Sequence, residues 1–390
     1  FENAFCQSPV GMASRASLFT RRYPESVRVR GMGVLPPAET TLPEVLLRHG
    51  YRTAAFGKVH FTPELYTRNI LHEENPVLDW KRFAADACLS PVPDDPCKKN
   101  YGFATHVGCE DVLQGNFIKW LKERTSASFR PEETGHIAEN APADLFVSPY
   151  PSELHQSSFI TEQTADYIKA AKKEEKPWFA LCSFIAPHHP FEAPADQIRR
   201  YDIASIPLPS AKGGVDPALI PHPAADAIGE MDRYPPEIRK KILLHYFASI
   251  SLVDDCVGKL LEALAQTGQM EETILVFVGD HGEFLGNHGL LRKPSIHYDE
   301  LIRVPLLLRI PGTPRNGDKR RIRGLVELTD IHPTLLGLLG IPINNGVQGT
   351  DWSSNITSGN HVGKEDIYSD MFDLTPQRFG KAVGPYMAVR

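Results

Sequence analysis

The stretch ETILVFVGDHG, residues 272–282, constrains the fold more than any other. From Thr273 to Val278 it is an apolar, β-branched run, and it ends in a polar turn bounded by glycine. That is the pattern of a strand buried on both faces. PWFALCSFIAPHHP repeats it, with a run from Trp178 to Ile185 stopped by Pro187; YRTAAFGKVHF is a weaker third case and VPLLLRIPG a fourth. Helical patterns lie between these runs. TTLPEVLLRHG has a threonine cap and the terminal Gly50. SSFITEQTADYIKAAKKEE and the long IRKKILLHYFASISLVDDCVGKLLEALAQTG carry apolar residues at steps of three and four. Alternating strands and helices predict an α/β fold with a mostly parallel sheet sandwiched by helices. In such sheets, sites form beyond the carboxyl ends of the strands. Three polar pairs stand there: Lys58 with His60, His188 with His189, and Asp280 with His281. The fold predicts that they meet in one crevice.

Composition narrows the partners. The 390 residues carry 42 Lys and Arg against 48 Asp and Glu, a formal charge of −6, with no basic stripe. Nucleic acid is therefore not an expected partner. No apolar run approaches the roughly 18 residues of a membrane span. Cys6, Cys88, Cys97, Cys109, Cys182 and Cys256 are scattered without a CxxC pair. Buried free thiols account for them, with a Cys88–Cys97 disulfide as the alternative. Asn355-Ile356-Thr357 fits a short glycosylation acceptor pattern. The stretches 89–151 and 207–237 are long and lack clear periodicity, which predicts functional rims or lids. After Gly349 the sequence turns polar, so the expected organisation is a catalytic domain over 1–350. Residues 351–390 are then a linker and the start of a smaller C-terminal subdomain, only partly present.

SPVGMASRASLF, residues 8–19, places Gly11 four residues before Arg15 at the start of a helical pattern. Taken alone it is a glycine turn into a helix. An arginine near a helix N-terminus faces the positive end of the dipole, which is unfavourable unless an anion sits there. The pattern resembles the signature of the type I, formylglycine-dependent sulfatases of the alkaline phosphatase superfamily: Cys or Ser, any residue, Pro or Ala, any residue, Arg. Arg15 and Ala13 fit; Gly11 stands where the nucleophile belongs. Further blocks carry the resemblance from end to end. AFGKVHF is similar to the family's Gly-Lys-x-His element, APHHPFEAP to its Pro-His-x-Pro element, and VGDHGEFLGNHGLLRKPSIHYDELIRVPLLLRIPG to its Ser-Asp-His-Gly-Glu block with a downstream lysine. HYFASISLVDDCVGKLL and TDIHPTLLGLLGIP resemble structural helices of the family. Arg21 and Gly279 depart from it, replacing a usual Gly and a usual Ser or Thr. The family's first strand ends in a metal-binding Asp pair with no counterpart here, so the chain reads as a fragment or as one numbered from an internal residue.

The resemblance implies sulfate-ester hydrolysis. Residue 11, as formylglycine, would supply the nucleophile through its hydrate and pass through a covalent sulfo-enzyme intermediate. Asp280 and His281 would hold one divalent metal, with Ca2+ favoured and Mg2+ or Mn2+ as alternatives. Arg15, Lys58 and Lys293 would neutralise the sulfuryl oxygens. His188 would act as general acid and His60 would deprotonate the second hydroxyl of the hydrate. His189, His288 and His297 are expected at the surface or rim. The implied partners are a small-molecule or carbohydrate sulfate ester and, during maturation, a formylglycine-generating enzyme. Two other functions fit the same residues: a phosphonate monoester or phosphodiester hydrolase of the superfamily, or an inactive binder of sulfated ligands if Gly11 is a true glycine. Cytoplasm and periplasm are both compatible with these motifs.

Overall fold

The structure, a computed structural model, describes residues 1–29, 34–61, 95–110, 115–125, 141–209, 227–294, 296–312, 321–371 and 386–389. Cys88, and with it the Cys88–Cys97 alternative, lies outside these residues, as do parts of the 89–151 and 207–237 stretches. Among the described residues the strands are β1 Asn3–Phe5, β2 Arg52–Gly57, β3 Thr105–Gly108, β4 Leu145–Val147, β5 Trp178–Ser183, β6 Phe191–Ala193, β7 Leu275–Val278, β8 Arg303–Val304, β9 Leu306–Arg309, β10 Leu325–Glu327, β11 Tyr368–Met371 and β12 Tyr386–Val389. The principal helices are α1 Gly11–Thr20, α2 Leu42–Arg48, α3 Asn116–Arg124, α4 Gln156–Ala171, α5 Pro236–Gln266, α6 Ile331–Leu338 and α7 Ser353–Ser358.

β2 runs parallel to β3 on one side and to β5 on the other, with Arg52 opposite Trp178 and Gly57 opposite Ser183. The period-2 alternation sends its side chains to two separate cores. Ala54 and Phe56 pack with Phe117 and Trp120 of α3 and with Phe159, Ile160 and Tyr167 of α4. Ala55 packs on the opposite face with Met12, Ala13, Ala16 and Phe19 of α1 and with Leu42, Val45 and Leu46 of α2. The sheet is thus covered by helices on both sides, as the sequence pattern predicts. β1–β10 and β4–β6 are also parallel. β1–β8, β7–β9 and β11–β12 are antiparallel.

Local sequence explains the helix ends. Thr41 caps α2 by accepting from the Glu44 amide, and Gly50 follows that helix at φ +83°. α5 starts at its proline, Pro236, where a missing N–H costs nothing, and Gly268 follows at φ +69°. Arg21 takes a left-handed φ of 59° at the end of α1, the conformation that favours glycine. Its departure from the family pattern therefore falls where the backbone itself prefers Gly.

One strand differs from expectation. β7 covers its two faces unequally, for Leu275 is half-buried against Ala263 and Leu264 of α5 whereas Phe277, on the same face, stands out. Val276 and Val278 pack with Leu306 and Val304 in the core around Phe5 and Val326. Phe277 is 43% exposed, and Leu307, directly opposite it on β9, is 63% exposed. An unbroken apolar run does not report which face is covered, so the sequence could not distinguish the two cases. Residues 351–371 lie against the same layer: Trp352, Ile356, Val362 and Ile367 join that core. Lys364 pairs with Glu327 and Asp330, and the Trp352 indole donates to Asp330 at 3.2 Å. Asn355 sits within α7, its side-chain amide donating to the His361 carbonyl.

Candidate active site

Three strands end on one guanidinium. Arg15, on the buried helix α1 and itself 9% exposed, donates from Nε to Asp280 Oδ2 at 2.8 Å, just after β7. Its Nη1 donates to the Lys58 carbonyl at 2.8 Å, just after β2, and to Ser183 Oγ at 2.9 Å, the last residue of β5. Ser14 adds a hydroxyl bond to the Asp280 carbonyl. The Asp280 carboxylate offsets the unfavourable placement of a cation near a helix N-terminus. Gly57 makes the close approach feasible. It has φ +94°, and a Cβ there would stand 2.0 Å from the Ser183 carbonyl oxygen. Gly282 does the same after His281, where a Cβ would stand 1.9 Å from the Glu300 carbonyl oxygen.

Residue 11 opens onto this point. Gly11 begins α1 with no left-handed φ, so its backbone accepts a side chain. A Cβ there would lie 3.3 Å from Asp280 Oδ2 and 3.6 Å from His281 Nε2. Lys293 Nζ lies 3.0 Å from His281 Nε2 and 2.9 Å from His188 Nε2. His188 Nδ1 faces the His189 carbonyl at 2.6 Å, and His281 Nδ1 faces the Gly282 carbonyl at 2.9 Å. A carbonyl only accepts, so each Nδ1 carries a proton and each ring turns its Nε2 toward the Lys293 Nζ.

The field of the site is cationic. Burial works against the Asp280 carboxylate, yet Arg15, His281, Lys293 and Lys58 hold its pKa well below the usual carboxylate range. Burial, reinforced by the Lys293 charge, lowers His281 to about 4, so it is neutral at physiological pH. Neutral His281 and ionised Asp280 are the protonation states a metal needs. Their Oδ2 and Nε2 atoms converge on the Cβ position of residue 11, which fits two donors of a divalent-ion shell. Among the described residues no group of three or more His, Cys, Asp or Glu side chains is placed to hold a metal.

The structure therefore gathers Gly11, Arg15, Lys58, His188, Asp280, His281 and Lys293 in one crevice. His60 follows Lys58 in the same turn, at φ +53°, with both ring nitrogens buried. Glu110 fixes that turn: its Oε1 accepts from the Val59 amide at 2.9 Å and from the His60 amide at 3.2 Å. His189 stacks on His188 with centroids 4.1 Å apart. His288 contacts Glu300 through Nε2 at 3.2 Å, and His297 is half-buried, with burial lowering its pKa to about 4. Sequence reasoning missed Ser14, Ser183 and Glu110 as supports. It also missed Glu283, which burial pushes up to about 7. The Glu closing the Asp-His-Gly-Glu block was the one legible signal for that residue.

Comparison with known proteins matches this architecture. The profile of the family described as Sulfatase covers residues 1–341. An arylsulfatase of Clostridium perfringens is 27% identical over 378 residues, covering 95% of this chain and 73% of the relative. Human iduronate 2-sulfatase is 27% identical, covering 88% of this chain and 63% of its own. In fold, the chain is similar to the phosphonate monoester hydrolase SpPMH from Silicibacter pomeroyi, with TM-score 0.78 and 22% identity over 100% of this chain and 78% of that one. The chain belongs to the sulfatase family, and with it to the sulfuric ester hydrolases of the alkaline phosphatase superfamily.

Proposed function

We propose that the protein hydrolyses a sulfate monoester, aryl or carbohydrate, with residue 11 acting as formylglycine. The observation that carries this is the convergence at residue 11, whose Cβ position lies 3.3 Å from Asp280 Oδ2 and 3.6 Å from His281 Nε2. A side chain there points at the two metal-type donors and into the cationic crevice. Asp280 and His281 would hold a divalent ion, calcium by preference, which would supply Lewis acidity toward the attacking hydroxyl. Arg15 and Lys58 bind and orient the sulfuryl oxygens. Lys293 and His188 stand together on the leaving side, where the His188–Lys293 pair delivers a proton to the ester oxygen. The attacking hydroxyl, its proton lost to water, forms a new S–O bond as the ester S–O bond breaks, so the alcohol departs protonated and residue 11 is left esterified with sulfate. His60 then takes the proton of the remaining hydroxyl, sulfate leaves and the aldehyde is restored. A formylglycine-generating enzyme is the partner that this scheme requires during maturation.

The glycine written at position 11 favours a second function. With nothing beyond Cα there is no nucleophile, and the same cations make a binding site for a sulfated ligand.

Turnover discriminates among these. In sulfuryl transfer, charge moves to the leaving oxygen, where His188 and Lys293 act. The expected kcat/KM for an aryl or sugar sulfate exceeds that for the matching phosphate monoester by at least about tenfold, roughly 1.4 kcal/mol. Binding without turnover supports the inactive binder. Phosphonate monoesters or phosphodiesters outrunning every sulfate overturn the sulfatase reading in favour of its superfamily alternative.

A further inference from the structure

Lys293 is flanked by a residue that the proposed chemistry leaves unused. Arg292 has a left-handed φ of 61°, uncommon for a side chain of this size. Its guanidinium grips Asp144 with two bonds, Nη2 to Oδ1 at 2.7 Å and Nε to Oδ2 at 3.2 Å, and its Nη1 reaches Glu230. Its Cζ also lies 5.7 Å from the Phe191 ring centroid. Burial opposes the charge, but the Asp144 hydrogen bond and the two carboxylates outweigh it and raise the Arg292 pKa.

These contacts close a ring that contains the leaving-group pair. Asp144 immediately precedes β4, and its carbonyl accepts from the Phe191 amide at 2.6 Å. Phe191 opens β6, opposite Leu145 of β4, three residues beyond His188. His188 Nε2 then meets Lys293 Nζ at 2.9 Å, and Lys293 is bonded covalently to Arg292. The circuit runs Lys293, Arg292, Asp144, Phe191, His188 and back to Lys293. One side is the proposed proton-delivering contact and the other is the Arg292 clamp. The planar fork of arginine serves a bidentate carboxylate and a second carboxylate together, a geometry a lysine point charge does not reproduce.

We propose that Arg292 is a positioning residue: by gripping Asp144 and Glu230 it sets the spacing between Lys293 and His188, and so the help given to the leaving oxygen. The proposal rests on the reading of His188 and Lys293 as the leaving-group pair. Loss of the clamp leaves the sulfuryl-binding side, built on Arg15 and Lys58, in place. Its signature is a dependence on leaving group, not a general loss of activity.

The test compares wild type, Arg292→Lys, Asp144→Asn and Glu230→Gln on two esters, one with an alkyl alcohol and one with a nitrophenol as leaving group. For Arg292→Lys the expected kcat/KM falls at least about tenfold on the alkyl ester and less than about threefold on the nitrophenyl ester. Asp144→Asn, which keeps an acceptor oxygen, should show the same selective loss in weaker form, as should Glu230→Gln. Equal losses on both esters, or none, overturn the proposal. Both esters are assayed as sulfates and as phosphonates, so a wild type that turns over only phosphonates defeats the substrate reading while the leaving-group comparison still decides the role of Arg292. If wild type turns over neither, the 15N resonance of His188 Nε2 reports the Lys293 contact directly. It should move in Arg292→Lys, and an unchanged resonance in a folded variant overturns the clamp.

Discussion

The two halves of the crevice are built by different means. Arg15, Lys58 and Asp280 stand on a helix or directly after strands, and one buried guanidinium bonds the ends of β2, β5 and β7. His188 and Lys293 stand on irregular segments braced by side-chain ion pairs, those of Arg292 with Asp144 and Glu230, beside the buried cluster that holds Phe191 and Leu291. In the first half the bonds that fold the protein also set the geometry of the site. In the second, a handful of polar side chains refine a spacing that the core fixes through Phe191 and Leu291. Damage to the first should cost stability and chemistry together, whereas damage to the second should cost chemistry alone.

The largest effect is expected at Arg15. Arg15→Met removes the bridge among the three strand ends and takes from Asp280 its guanidinium partner, so kcat/KM should fall about a thousandfold and folding stability by about 3 kcal/mol. Kinetics on esters of different leaving group, beside a thermal melt, check this; a variant that melts like wild type breaks the comparison. Next comes His188→Ala in the loop-borne half. It should lose about a hundredfold on an alkyl ester, only a few-fold on a nitrophenyl ester, and leave the melting temperature in place.

Metal binding sharpens the contrast, because the proposed donors, Asp280 and His281, belong to the element-borne half. Calcium should raise the melting temperature, with stabilisation near 2.7 kcal/mol at about a hundredfold excess over Kd. Asp280→Asn should abolish that rise, while His188→Ala should keep it. A calcium response that survives in Asp280→Asn removes Asp280 from the metal site.

How much of this was legible follows the same division. The chemistry-bearing residues followed apolar runs that stop abruptly, so strand ends marked Lys58, His188 and Asp280, and spacing marked Gly11 and Arg15. The supports were not legible. Ser14, Ser183, Glu110 and Arg292 are single polar residues without periodicity, and their partners lie far away along the chain, as Asp144 does from Arg292. Nor could the run in β7 show that Phe277 faces outward, since both faces of that strand are apolar in sequence.

The smallest effect concerns the packing beneath α1. His332 is fully buried, its Nδ1 donates to the Phe19 carbonyl at 2.8 Å, and burial lowers its pKa to about 3. His245, 3% exposed, is lowered to about 4 by burial. Both folded values lie below the unfolded one of about 6.5, so the unfolded chain binds these protons first. Stability is full above pH about 6.5 and falls as the pH drops toward the folded values, with His332 contributing about 2 kcal/mol of loss by pH 5. His332→Asn, which keeps a donor toward Phe19, should flatten the fall between pH 6.5 and 5. An unchanged slope removes His332 from that dependence.

The central claim is that residue 11 carries the nucleophile at the meeting point of Arg15, Asp280 and His281. The mass of the tryptic peptide ending at Arg15, taken from protein that turns over a sulfate ester, tests it most directly. The expected peptide is heavier than its glycine form by one CO unit and forms a hydrazone with a hydrazide. A peptide of plain glycine mass from protein that turns over sulfate contradicts the claim.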